Sequence, residues 1–156
     1  MGHVISAAGV ATDPSKVADV QNWPTPQSVK VVRSFLGLAG YYRKFVRNFG
    51  LISKSLTSLL KKGETFCWTS AHEEAFQALK TALSTAPVLA LPDFSKVFTI
   101  ETDASDKGIG VVLQQEGHPI AYLSKALGPK NQLLSTYEKE SLAILLAVDH
   151  WRSYLE

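Results

Sequence analysis

The apolar positions along the chain change their period twice. Over 29–49 they fall at Val31, Val32, Phe35, Leu36, Leu38, Ala39, Tyr42, Phe45, Val46 and Phe49, the spacing of one helix face. From residue 97 the rhythm is that of strands. Val97, Phe98, Thr99 and Ile100 form a β-branched run that leads to a carboxylate, Asp103, and then to the turn-forming Ser105, Asp106, Lys107 and Gly108. The apolar run resumes with Ile109, Val111, Val112 and Leu113, turns at Glu116-Gly117 and returns over 119–125. Helical spacing then reappears over 137–154, through Leu142, Ala143, Leu145, Leu146, Val148 and Trp151. The pattern predicts an α+β protein: a helical N-terminal half, a three-stranded meander, and a C-terminal helix packed on that sheet.

Shorter signals fill the gaps. His3–Ser6 reads as a lone strand with no partner nearby, as if it ended something that lies upstream. Asp13-Pro14 opens a helix running to Trp23, with Asp as cap and Pro at the first helical position. Ser28 caps the long helix 29–49 and Gly50 ends it. Ile52, Leu56, Leu59 and Leu60 give a short amphipathic helix over 52–62, closed by Lys61-Lys62-Gly63. Thr69 or Ser70 caps a helix to about Ser84, with Glu73 and Glu74 in its first turn. A proline-bracketed connector, 86–93, delivers the chain into the first strand of the meander. The segments are therefore 1–66, 67–96 and 97–156.

Composition narrows the class of protein. A chain of 156 residues, 46% hydrophobic and 19% charged, suits one good core or two small ones. One cysteine, Cys67, leaves no intramolecular disulfide framework and fits a reducing compartment. No apolar run approaches the ~18 residues of a membrane helix, and no basic-then-apolar signal opens the chain. The expectation is an intracellular chain, cytoplasmic or nuclear, with no membrane partner.

Charge separates the halves more sharply than the net value of +2 suggests. Residues 1–66 carry nine Lys or Arg against three acids, and residues 67–156 carry seven against eleven. A basic N-terminal half suits a polyanion, and an acidic C-terminal half suits metal ions or solvent. The charges of the helix 29–49, Lys30, Arg33, Arg43, Lys44 and Arg47, are all positive. Within that helix Gly37 and Gly40 lie three apart, each about 1 kcal/mol less favourable than Ala. Something passes close to this backbone, either a neighbouring helix or the sugar–phosphate edge of a nucleic acid, and the adjacent Tyr41, Tyr42, Arg43 and Lys44 favour the second.

Three long strings carry a family resemblance. The order TDAS on a strand, a meander containing LSKAL, and then STYEKESLAILLAVDHWRSYL resembles the ribonuclease H part of a Ty3/gypsy-type LTR retrotransposon polyprotein. DPSKVADVQNWPTPQSVKVVRSFLGLAGYYRKFVRNFG resembles the reverse-transcriptase thumb of the same elements, and WTSAHEEAFQALKTALSTAPVLALPDFSK their connecting segment. The resemblance implies a thumb-like helical segment over 1–66, a connection over 67–96, and a truncated ribonuclease H-like domain over 97–156.

It also implies chemistry. In ribonuclease H catalysis two divalent cations, expected to be magnesium, are held by four carboxylates and activate water against an RNA strand. The first carboxylate matches Asp103 and the second matches Glu140, while Glu138 reads as solvated. The other two acids of the family lie beyond Glu156, and the paired aspartates of the polymerase are absent, so the expected protein is catalytically incomplete on its own. The thumb resemblance makes Gly37, Gly40, Tyr41 and Lys44 a contact face for an RNA–DNA hybrid or other duplex, with Lys30, Arg33 and Arg47 beside them. The strand carrying Asp103 is expected to form a sheet edge, and the segment 97–102 is expected to pair with a second copy in a homodimer. Three function classes follow: a nucleic-acid-binding retroelement segment, a ribonuclease H completed by a partner chain, and a retroelement-derived protein-interaction module.

Overall fold

The computed structural model describes residues 3–155. Its elements alternate as expected, with two differences that matter for function. The first is at the start, where His3–Ser6 (β1) is not a lone strand. It pairs antiparallel with Gly9–Thr12 (β2), His3 opposite Thr12 and Ser6 opposite Gly9. Val10 in turn exchanges two backbone hydrogen bonds with Leu89, 2.7 Å each, which ties the hairpin to the connector. The partner strand is hidden by the sequence Gly9-Val10-Ala11-Thr12, too short to alternate visibly.

Asp13 caps the helix Pro14–Gln21 (α1), its carboxylate accepting from the Ser15 amide at 2.9 Å. Ser28 caps the helix Val29–Tyr41 (α2), its hydroxyl oxygen accepting from Val31 N at 3.3 Å. Here lies the second difference, because α2 stops eight residues short of the expected end. A 3-10 turn follows at Arg43–Phe45, Val46 is extended, and Asn48 adopts a left-handed conformation with φ 59°. Tyr42, Phe45, Val46 and Phe49 keep a helical spacing yet are all buried, since the bent segment is enclosed by its own helices and by the sheet. The short helices Phe49–Ile52 (α3) and Lys54–Ser58 (α4) replace the single expected helix over 52–62.

Thr69 caps the helix Ser70–Ser84 (α5) through a reciprocal box in which its amide donates to His72 Nδ1 at 2.9 Å. The buried stripe Phe76, Leu79 and Leu83 of α5 meets Val32 and Phe35 of α2, with the Phe35 and Phe76 rings 4.7 Å apart. Lys80 sits in the same stripe. Its ammonium donates to the Trp23 carbonyl at 2.6 Å and the Gln21 carbonyl at 3.2 Å, satisfying the end of α1, and burial holds its pKa below the usual lysine value.

The second core belongs to the sheet. Thr99–Ala104 (β3), Gly108–Gln115 (β4) and His118–Ala126 (β5) form an antiparallel meander in the order β3-β4-β5. A short helix, Pro129–Gln132 (α6), leads to the helix Thr136–His150 (α7), and Trp151 breaks the expected single helix before Arg152–Leu155 (α8). Ala143, Ala147 and Trp151 of this region lie buried against Ile109, Val111 and Leu113 of β4. The other face of the sheet is covered too: the 3-10 turn and α3 pack on β5. β4 is buried on both faces, and β5 carries the main contacts to the helical half.

Candidate nucleic-acid interface and the Asp103 cleft

The outer face of α2 is built by omission. Its inner positions Val32, Phe35 and Ala39 are fully buried, so helical geometry turns Lys30, Arg33, Gly37 and Tyr41 to the opposite side, where all four are exposed. A side-chain carbon placed on Gly37 would meet no protein atom within 4 Å. The helix-packing explanation for this glycine is therefore removed. Gly40 differs, because a carbon there would lie 3.1 Å from the Arg43 guanidinium, whose Nε donates to the Gly40 carbonyl at 3.1 Å. Lys44 continues the exposed cationic side past the end of α2.

Tyr41, 53% exposed, is held from behind. The His3 ring of β1 lies 5.2 Å from Tyr41, 5.7 Å from Tyr42 and 5.5 Å from Phe45, centroid to centroid. His3 Nε2 and the Tyr42 hydroxyl are buried without a hydrogen-bond partner among the described residues. Burial first, and then the neighbouring charge of Lys44, keep the His3 pKa below its usual 6.5, while burial raises that of Tyr42. Nothing in the one-dimensional pattern points to His3 as a support for this face.

Arg47 does not join the α2 face. Its guanidinium stacks over the Tyr122 ring of β5 at 5.1 Å, and it lines a cleft of about 360 Å³ together with Asn48, Glu101, Asp103 and Tyr122. The 3-10 turn at Arg43–Phe45 and the extended Val46 before it send it there.

Asp103 reaches this cleft because strand residues alternate. Ile100, Thr102 and Ala104 take the α7 side of β3, which leaves Glu101 and Asp103 on the other. Asp103 pairs with Gly110, and a side chain at Gly110 would press on Asn48 Oδ1 at 2.6 Å, so Asp103 shares the face that carries Asn48. Glu140 is exposed on α7, the helix on the opposite face, and does not line the Asp103 cleft. Glu138 is exposed, as expected, and also closes the α7 capping box: Ser135 N donates to its carboxylate at 3.0 Å, and that backbone bond holds its pKa down. The buried charge at the start of α7 is Lys139, whose ammonium donates to the Asp106 carbonyl at 3.4 Å. Its four-residue spacing from Ala143 and eight from Ala147 is the sequence signal for this.

Among the described residues, no group of three or more His, Cys, Asp or Glu side chains is placed to hold a metal ion. Of the four carboxylates that the resemblance implied, Asp103 is exposed on β3 and Glu140 is exposed on α7. No helix among the described residues is long and apolar enough to cross a membrane.

Comparison with known proteins accounts for this architecture. The family of RNase H-like domains found in reverse transcriptase matches residues 68–156. The retrovirus-related Pol polyprotein from transposon 297 of Drosophila melanogaster is 44% identical across 99% of the chain, and that from transposon gypsy 40% identical across 99%. The transposon Tf2-3 polyprotein of Schizosaccharomyces pombe is 36% identical across the whole chain. The chain spans only 15%, 16% and 12% of the lengths of these three relatives. Among solved structures, a foamy viral protease-reverse transcriptase dRH in complex with double-stranded DNA superposes with a TM-score of 0.91, at 27% identity, over 99% of this chain and 28% of that one. The foamy viral protease-reverse transcriptase in complex with an RNA/DNA hybrid gives 0.89 at 28% identity, over 99% of this chain and 22% of that one. The two-core arrangement, helices and meander together, thus recurs as a unit, and the chain belongs to the RNase H-like domains of reverse transcriptases, in the lineage of the Ty3/gypsy-type retrotransposon Pol polyproteins.

Proposed function

We propose that the chain binds the backbone of a nucleic-acid duplex, an RNA–DNA hybrid or DNA, through the exposed face of α2 formed by Lys30, Arg33, Gly37, Tyr41 and Lys44. The observation that carries this reading is Gly37. A glycine in a helix interior is unfavourable by about 1 kcal/mol relative to alanine, and no protein atom occupies the space it leaves open. Bare backbone flanked by cations and an aromatic ring suits a sugar–phosphate edge that approaches closely. The solved reverse transcriptases of the same architecture are in complex with double-stranded DNA or an RNA/DNA hybrid, which supports the choice of ligand. The free, exposed Cys67 suits a reducing, intracellular setting.

Binding to a fluorescent RNA–DNA hybrid at several salt concentrations tests this. Affinity falls linearly with salt on logarithmic axes, and Lys30→Glu with Lys44→Glu removes most of it. Unchanged affinity in that double variant sinks the reading. Catalysis is a separate question, tested by magnesium-dependent cleavage of the hybrid and its loss in Asp103→Asn. A second copy is a further proposed partner, added along β3, whose outer edge carries no strand among the described residues. Its test is sedimentation at tens of micromolar, where a monomer overturns the edge-pairing proposal.

A further inference from the structure

A second cationic surface lies beside the α2 face and is separate from it. A groove of about 470 Å³ runs between α2, the α3–α4 segment and β5, with Leu36 and Phe49 in its lining. Four cations from four places in the chain surround it: Arg43 in the 3-10 turn, Lys54 at the start of α4, Lys61 after it, and Lys125 near the end of β5. No carboxylate lines the groove. All four cations are exposed, and the ion pairs formed among the described residues involve only Lys96 and Arg152. Four like charges around one concavity repel each other unless an anion or salt offsets them, and they concentrate anions there.

Hydroxyl-bearing side chains, Ser58 and Ser124 among them, also line the groove. Ser58 is committed to the Lys54 carbonyl at 3.0 Å, but Ser124 Oγ accepts from Gly50 N at 2.7 Å and has its own proton to donate. A donor-rich, acid-free lining selects a ligand made of acceptors. The groove also starts at Arg43, next in the chain to Lys44, where the α2 face ends.

We propose that this groove holds a phosphodiester backbone, as a second binding track on the nucleic acid bound by α2. The proposal rests on the nucleic-acid reading above, and its test separates the two. The test uses the chain with Lys54→Gln, Lys61→Gln and Lys125→Gln together, and compares it with Lys30→Glu plus Lys44→Glu on the α2 face. These lysines are exposed, so folding is preserved, and the matching triple Lys→Arg variant checks that charge is what matters.

The groove variant is expected to bind an RNA–DNA hybrid about tenfold more weakly at low salt, with a salt slope shallower by about 0.9 for each phosphate that is no longer neutralised. Phosphate-ethylation interference on the wild-type complex is expected to show two clusters of sensitive phosphates, of which the groove variant keeps only one. The Lys→Arg variant should retain both. A groove variant with the wild-type slope and interference pattern, beside an α2 variant that binds weakly, overturns the groove and leaves the nucleic-acid reading standing. If neither variant changes binding, both fall. Displacement of the hybrid by polyglutamate as readily as by single-stranded DNA also overturns the groove assignment, since it would make the site one for acidic peptides.

Discussion

Gly37 and Gly110 are both glycines inside regular elements, and the protein explains only one of them. At Gly110 in β4, a side chain would drive into Asn48 Oδ1 at 2.6 Å, so the missing atoms let the bent segment after α2 seat on the sheet. At Gly37 the same substitution meets open space. The two regions follow the same logic. Beneath Gly110 the sheet face is covered from within, by Asn48, while Asp103 stays exposed in the cleft that Arg47 and Tyr122 line; the outer face of α2 is left bare beside cations that form no ion pair among the described residues. A feature accounted for by internal packing gives no argument for a ligand, while one that packing does not use points outward. On that criterion Gly37 points outward and Gly110 does not.

The comparison can be attacked from its inside first. Phe35→Ala empties the buried side of α2 between Trp23 and Phe76, and equilibrium urea unfolding should show a loss of about 3–5 kcal/mol. A loss below about 1 kcal/mol would mean that α2 is not anchored as described. Gly110→Ala should cost about 1–3 kcal/mol by overpacking against Asn48, and Asn48→Ala in the same chain should recover part of it. Simple additivity of the two changes would break the claim that they touch.

A smaller effect is expected at the hairpin. The pKa of His3 lies below 6.5 in the folded chain, so the unfolded chain takes up a proton first as the pH falls. Docking of β1–β2 behind Tyr41 is therefore complete above about pH 6.5 and weakens as the pH drops through the lowered value. Amide exchange over residues 3–12 should speed up at about pH 5 relative to a pH above about 7, beyond the intrinsic change, while α5 is unaffected. Equal protection at both pH values would contradict the role of neutral His3.

Much of this architecture is legible in the one-dimensional pattern. Three strands, their order in the chain, the caps Asp13 and Ser28, and the helices α1, α5 and α7 all follow from periodicity and from residues whose local chemistry is strong. The end of α2 is not legible, because Tyr42, Phe45, Val46 and Phe49 are apolar for a tertiary reason and happen to keep a helical spacing. Face assignment is harder to read. Asp103 and Glu140 are each easy to find by motif, but the side of the sheet on which each lies depends on strand alternation relative to α7, and only the packing of Ile100 and Ala104 fixes it. The buried lysines Lys80 and Lys139 share the spacing of the apolar stripes they sit in, but a charge there is ordinarily read as a break in the stripe. Their partners are backbone carbonyls, which a sequence does not display.

The most direct measurement on the central claim is Gly37→Ala, read for stability and for hybrid affinity in the same preparation. With open space around the new methyl group, the Tm should rise by about 2–4 °C, corresponding to about 1 kcal/mol of helix propensity. Hybrid binding should weaken by about tenfold, near 1.4 kcal/mol, because the methyl group stands where the backbone of the duplex approaches. A more stable variant with undiminished affinity would contradict the assignment of the α2 face as the nucleic-acid interface.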